Sequence, residues 1–254
     1  MAAVGLHAAI LSELMRQGDH EIEIKLRVDD IASARRRLRA IGARGGARVH
    51  EANVLFDTAN ESLRGRGMLL RLRVERPARL GLALRGRGER RALLDAWFFP
   101  ARGRQRVVVT LKAPPTDSPM PLKGEGKVVR APQGLYKVRR EIEFEVPDAR
   151  AFREVLTALG LRPAFYYEKL RTTYRLPRVR GVEITLDETP VGPFLELEGS
   201  PAGIGRARRA LGYRAEAAIL MSYGAVYFAY CREHGVSPRD MVFEPRPAGR
   251  LSGR

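Results

Sequence analysis

Glu21, Glu23, Lys25 and Arg27 stand at every second position of a run whose other residues are Ile22, Ile24 and Leu26. Alternate side chains of a β-strand share a face, so this run puts carboxylates and cations on one side and aliphatic groups on the other. The pattern returns along the chain. Arg71, Arg73 and Glu75 share a face, as do Thr110 and Lys112, and Arg139, Glu141, Glu143 and Glu145. Lys169, Arg171 and Arg175 follow, then Glu183, Thr185 and Asp187, and last Glu196 and Glu198. A single half-buried strand of this kind turns its polar side to water and says nothing about function. Repeated on nearly every strand, with both signs present, the charged faces suit a ligand. Lysine and arginine match phosphate oxygens, and carboxylates match hard divalent cations.

The period of the chain predicts strands at 20–28, 48–57, 68–75, 106–112, 136–146, 166–176, 181–187 and 194–198. Asp30 is placed to cap a helix that ends at Gly42, with Ile31, Ala34, Leu38 and Ile41 on one face. Asp148 is placed to cap a second, with Phe152, Val155, Leu156 and Leu159, ending at Gly160. Two more are expected at about 203–211 and 215–234. Strand, capped helix and strand occur twice, after Glu21-Ile22-Glu23 and after Glu141-Ile142-Glu143, which predicts one pseudo-symmetric domain. Residues 76–105 and 113–135 break the rhythm and read as long hairpin insertions or loops, and the tail from Ser237 reads as loop.

Two architectures can use such strands. An open sheet would lay its apolar face on helices and its charged face in water. A closed barrel would turn the apolar face outward under helices and line its lumen with charge, while removing exposed sheet edges. Both signs at high density inside a lumen are costly unless ligands and metal ions balance them.

The chain has 254 residues with 44% apolar and 30% charged composition, a soluble globular profile with room for a sizeable core. Its single cysteine, Cys231, excludes a disulfide framework and multi-cysteine metal sites. No apolar run approaches the ~20 residues of a membrane span, and the first 19 residues lack a secretory pattern. A cytoplasmic protein without a membrane partner is expected. The net charge of +17 fits a polyanionic partner or an arginine-biased composition. Only six residues are lysine, and Lys25, Lys112 and Lys169 among them fall on the charged strand faces.

Glu21-Ile22-Glu23-Ile24-Lys25 resembles the E-x-E-x-K signature of the CYTH superfamily, the triphosphate tunnel metalloenzymes. Leu70-Arg71-Leu72-Arg73, Thr110-Leu111-Lys112, Arg139-Arg140-Glu141-Ile142-Glu143 and Lys169-Leu170-Arg171 resemble that family's later strands, in order. Leu186-Asp187 and Phe194-Leu195-Glu196-Leu197-Glu198 resemble its closing ones. The resemblance implies an α+β, mainly antiparallel fold: a closed eight-stranded barrel with helices packed outside. The chain then divides into an extension at 1–19, which departs from the family pattern, one domain over 20–236 and a tail over 237–254. It further implies metal-dependent hydrolysis of inorganic triphosphate or a small organic triphosphate. A class IV adenylyl cyclase and a non-catalytic polyphosphate- or RNA-binding module are the alternatives.

In that reading Glu21, Glu23 and Lys25 are catalytic. Lys25, Arg71, Arg73, Lys112, Arg139, Lys169 and Arg171 bind substrate. Glu21, Glu23, Glu141, Glu143, Asp187, Glu196 and Glu198 hold Mg²⁺ or Mn²⁺. Strand parity favours Arg139 over Arg140 as the inward residue. Other signals are plainer. His7, His20, His50 and His234 form no metal spacing, and Gly124-Glu125-Gly126-Lys127 lacks the rest of a P-loop. Arg35-Arg36-Arg37 reads as the solvated face of the first helix, and Tyr223, Tyr227 and Tyr230 as packing on the barrel.

Overall fold

The computed structural model describes residues 20–78, 105–115, 127–131, 134–177 and 179–243. The extension at 1–19, most of the two insertions and the last residues of the tail lie outside these. The strands are β1 (His20–Arg27), β2 (Arg44–Asp57), β3 (Leu69–Pro77), β4 (Arg106–Ala113) and β5 (Lys127–Ala131). β6 (Gly134–Glu145), β7 (Arg162–Arg175), β8 (Val182–Thr189), β9 (Gly192–Gly199) and β10 (Ala218–Ile219) follow. The helices are α1 (Ile31–Ala40), α2 (Ser62–Gly65), α3 (Ala149–Ala158), α4 (Pro201–Ala210) and α5 (Tyr223–Glu233).

Hydrogen-bonded neighbours run β1-β9-β8-β7-β2-β3-β4-β6, and β6 pairs back onto β1. All these pairings are antiparallel, so eight strands close into a barrel. The predicted repeat is visible in the topology. Exchanging β1, β2, β3 and β4 for β6, β7, β8 and β9 reproduces the same ring order. The two repeat helices, α1 and α3, start as the sequence predicts: Asp30 accepts from Ser33 N–H, and Asp148 from the N–H groups of Arg150 and Ala151.

The aliphatic strand faces point outward under the helices. Ile22, Ile24, Leu26, Ile184, Leu186, Leu195 and Leu197 pack with Ala34 and Leu38 of α1 and Ile204 and Ala207 of α4. Ala52, Val54, Leu72, Val74, Val109 and Tyr166 pack with Leu156 of α3. Burying one such side chain stabilises by roughly 1.5–3 kcal/mol, and this term holds the barrel's inner charges in place. The cover is uneven: Ile142 is 41% and Phe144 48% exposed, and Phe144 meets Phe152 of α3 only edge-on.

Four expectations change. Residues 215–234 do not form one helix: a 3₁₀ turn at Ala215–Ala217 leads into β10, and Ser222 caps α5 separately. Ser222 favours that cap because its hydroxyl accepts from Ala225 N–H. The insertion at 113–135 contains β5, which pairs with β6 from Lys127↔Val138 to Ala131↔Gly134. The short helix α2, which periodicity did not predict, is held by Asp57, whose carboxylate accepts from the N–H groups of Thr58, Leu63 and Arg64. The tail is not all loop: Met241 bridges to Tyr167 in parallel, Tyr166 N–H donates to Asp240, and Phe243 N–H donates to Glu168. It fills an edge of β7 that β8 leaves uncovered, since their pairing stops at Leu170↔Glu188.

Candidate active site

The charged strand faces meet inside the barrel around a cavity of about 460 Å³. Its lining includes Glu21, Glu23, Lys25, Arg71, Arg73, Lys112, Arg139, Glu141, Glu143, Lys169, Arg171, Glu196 and Glu198. Strand parity put them there. Lys25 lies opposite Glu196, Glu23 opposite Glu198, Glu21 opposite Arg139 and Lys112 opposite Glu141. Arg139, not Arg140, lines the cavity. Asp187 does not: it points inward but is fully buried beneath lining side chains, and its oxygens accept from Lys169 (2.9 Å), Arg171 (2.7 and 2.6 Å) and Tyr223 (2.7 Å).

The inner network has two electrostatic zones. In the first, cations and carboxylates balance. Lys25 Nζ sits 3.0 Å from Glu23 and 2.8 Å from Glu196. Lys169 Nζ reaches Asp187 at 2.9 Å and Glu51 at 3.4 Å. Arg171 bonds Asp187 and Glu196. Burial opposes the charges of Lys25, Glu51 and Glu196, yet partners overcome it. Glu196 and Glu23 raise Lys25 above its ordinary pKa. Lys169 and then Arg171 hold Glu51 far below the carboxylate range, and Lys25 and then Lys169 do the same for Glu196.

The second zone is short of cations. Glu21 and Glu141 share Lys112, whose Nζ lies 3.0 Å from Glu141 and bonds Glu21. Burial raises Glu21, and Glu23 and Glu141 add to it. Glu198 is pushed up to about 8, first by withdrawal from bulk water and then by Glu21. A set of hard oxygen donors that repel one another fits a divalent cation, which would relieve the repulsion. Among the described residues no three acidic, histidine or cysteine groups form a ready cage.

Several residues that line the cavity or pair with its lining carried no motif. Lys137, buried and 3.5 Å from Glu23, shares the parity of Arg139. Glu51 faces Lys169 from β2, a strand with no charged alternation to announce it. His20 lines the cavity although it belongs to no metal spacing. Arg71 donates to the hydroxyls of Tyr167 (3.4 Å) and Thr110 (2.9 Å), and Tyr167 lines the cavity. Tyr223 of α5 lines it as well, beside Ser222 and Gly224. Tyr223 and Tyr227 do pack on the barrel, but against inward-facing Phe165 and Phe194 at one end of it.

Comparison with known proteins agrees with this architecture. Residues 19–203 match the family model described as the CYTH domain. A Methanocaldococcus jannaschii protein named "Putative adenylate cyclase MJ0240" is 23% identical over 192 residues, covering 75% of this chain and 83% of its own. A structure from Vibrio parahaemolyticus, 15% identical, superposes with a TM-score of 0.57 over 82% of this chain and 97% of that one. The PH1819 protein of Pyrococcus horikoshii, 19% identical, gives 0.54 over 84% and 98%. At these identities the two structures speak for the fold alone. The match to the family model spans most of the chain, which therefore belongs to the CYTH domain family.

Proposed function

We propose that this chain hydrolyses a triphosphate with the help of a divalent cation, inside the barrel. One observation carries the reading: cations on opposing walls of a single cavity stand beside a carboxylate cluster short of positive charge. Lys25, Arg71, Arg73, Lys112, Arg139, Lys169 and Arg171 surround the phosphate chain from β1, β3, β4, β6 and β7, so its charge is neutralised along its length. Glu21, Glu141 and Glu198, with Glu23, Glu143 and Glu196, supply the oxygen ligands for Mg²⁺ or Mn²⁺. Bound there, such a cation supplies charge neutralisation and Lewis acidity. Asp187 works from beneath the lining side chains, aiming Lys169 and Arg171 at the substrate. Positioning and charge are what phosphoryl transfer chiefly requires. The attacking group is water, the bond broken is a phosphoanhydride P–O bond, and the products are orthophosphate and the shortened chain.

The name of the Methanocaldococcus relative supports a second reading, in which the same cavity makes cyclic AMP and pyrophosphate from ATP. The deciding experiment measures phosphate, pyrophosphate and cyclic AMP released from inorganic triphosphate, thiamine triphosphate and ATP, with Mg²⁺ and with Mn²⁺. Faster phosphate release from the linear triphosphate supports hydrolysis. Cyclic AMP forming from ATP at an equal or greater rate overturns it. Tight binding without any product leaves a polyphosphate-binding module.

A further inference from the structure

Tyr223 reaches the cavity from outside the barrel strands. It opens α5, and its ring packs edge-on against Phe194 with 5.7 Å between centroids. Its hydroxyl donates to Asp187 Oδ2 at 2.7 Å, the oxygen that Lys169 Nζ also approaches at 2.9 Å. The Lys25 and Lys169 ammoniums lie over its ring, 5.2 and 4.9 Å from the centroid. One neutral side chain thus touches two substrate-facing cations and the carboxylate that restrains one of them.

We propose that Tyr223 is a positioning residue for the phosphate chain: its hydroxyl keeps Asp187 satisfied while Lys169 turns toward substrate, and its ring backs both ammoniums. The physical reason is competition for a buried carboxylate: Arg171 also donates to Asp187 at 2.7 and 2.6 Å, and with the Tyr223 hydroxyl gone Oδ2 depends more on Lys169. Asp187 is wholly buried, so losing a donor there costs more than a surface hydrogen bond would. Without the hydroxyl, Asp187 holds Lys169 back and the lysine gives less to a phosphate. The ring adds an attraction for cations that desolvation strengthens. The inference rests on the triphosphate reading of this cavity.

The test is binding of inorganic triphosphate to the full-length chain by isothermal titration calorimetry in Mg²⁺, with turnover and melting temperature measured alongside. Tyr223→Phe is expected to weaken binding about tenfold, raising KM alike and leaving kcat within about twofold. Tyr223→Leu, which also removes the ring face, weakens it further. In a Lys169→Met background, Tyr223→Phe has little additional effect, because the residue it acts through is gone. That comparison separates positioning from general loss of fold, since both chains carry the same α5 change. Unchanged affinity in Tyr223→Phe overturns the inference, and so does a full additional loss in the Lys169→Met background. A wild-type chain that binds triphosphate without hydrolysing it sinks the hydrolase reading but leaves this inference standing. No triphosphate binding by the wild type sinks both.

Discussion

Glu23 of β1 and Glu198 of β9 are direct cross-strand partners, yet their carboxyls are displaced in opposite directions from the ordinary value of 4.5. Burial would raise Glu23, but Lys25 and then Lys137 reverse it and bring it to about 2. Glu198 rises to about 8, because withdrawal from bulk water is reinforced by Glu21 and only partly offset by Lys112. Like charges directly opposite on a sheet destabilise it. Here the pair survives because one member is held ionised by lysines and the other keeps its proton near neutrality.

A stability change with pH follows, with a definite sign. The folded pKa of Glu198 lies above its unfolded value, so its contribution is full below 4.5 and is lost as pH rises through about 8. Glu23 acts oppositely, contributing above 4.5 and losing that contribution as pH falls toward 2. With metal chelated, the wild-type melting temperature should fall between about pH 5 and pH 8.5, and Glu198→Gln should lessen that fall by about 2–4 °C. Glu198 keeps an exposed surface, and screening there keeps the effect small. Scanning fluorimetry at the two pH values decides it. Equal pH slopes in the two proteins would refute the assignment.

The docked tail gives a second prediction. Asp240 accepts from Tyr166 N–H, Met241 exchanges backbone bonds with Tyr166 and Glu168, and Met241 is fully buried in the aromatic cluster under α5. Asp240→Ala leaves the Tyr166 N–H without its acceptor and should cost about 1–3 kcal/mol. Met241→Ala leaves a cavity and should cost about 2–5 kcal/mol. Urea titration measures both. Changes below about 0.5 kcal/mol in each would show that the tail adds nothing to the barrel.

The charged strand faces were legible because most of them obey a period of two, but that pattern fits an open sheet as well, and closure into a barrel was expected from the resemblance to the CYTH family. Glu21, Glu23 and Lys25 point the same way whatever their partners, so the motifs alone placed them together. Lys137 was equally legible by parity with Arg139, inside the strand expected at 136–146, but it precedes the motif that drew attention to that strand. Glu51 was not, since Asn53 and Leu55 follow it on the inward face and show no charge alternation. Tyr223 was beyond reach for another reason. A tyrosine at helical spacing carries no sign of which surface its helix will cover. Its contact with Asp187 depends on where β10 and the Ser222 cap place α5. The outward position of Asp187's neighbour Glu188, paired with Arg48 at 2.5 Å, shows the same limit. Parity tells which side of a strand a residue takes, and tertiary contacts decide what it meets there.

The separation of roles inside the cavity supplies the last prediction. Lys112→Ala and Arg71→Ala remove cations that meet the phosphate chain in ground and transition state alike, so they should raise KM about tenfold or more with a smaller change in kcat. Glu21→Gln removes an oxygen ligand from the cation-poor zone and should lower kcat and weaken the response to Mg²⁺. Glu196→Gln has a distinct signature. Glu196 stands 2.8 Å from Lys25 and 3.8 Å from Lys169 and bonds Arg171, so it holds three cations back from an incoming anion. Neutralising it should tighten ground-state binding and lower KM while kcat falls, the pattern of ground-state restraint released at the expense of the reaction. Steady-state kinetics on inorganic triphosphate at several Mg²⁺ concentrations separates these outcomes. A rise in KM common to all four variants, with kcat unchanged, would show that carboxylates and cations do the same work and that the two zones are one.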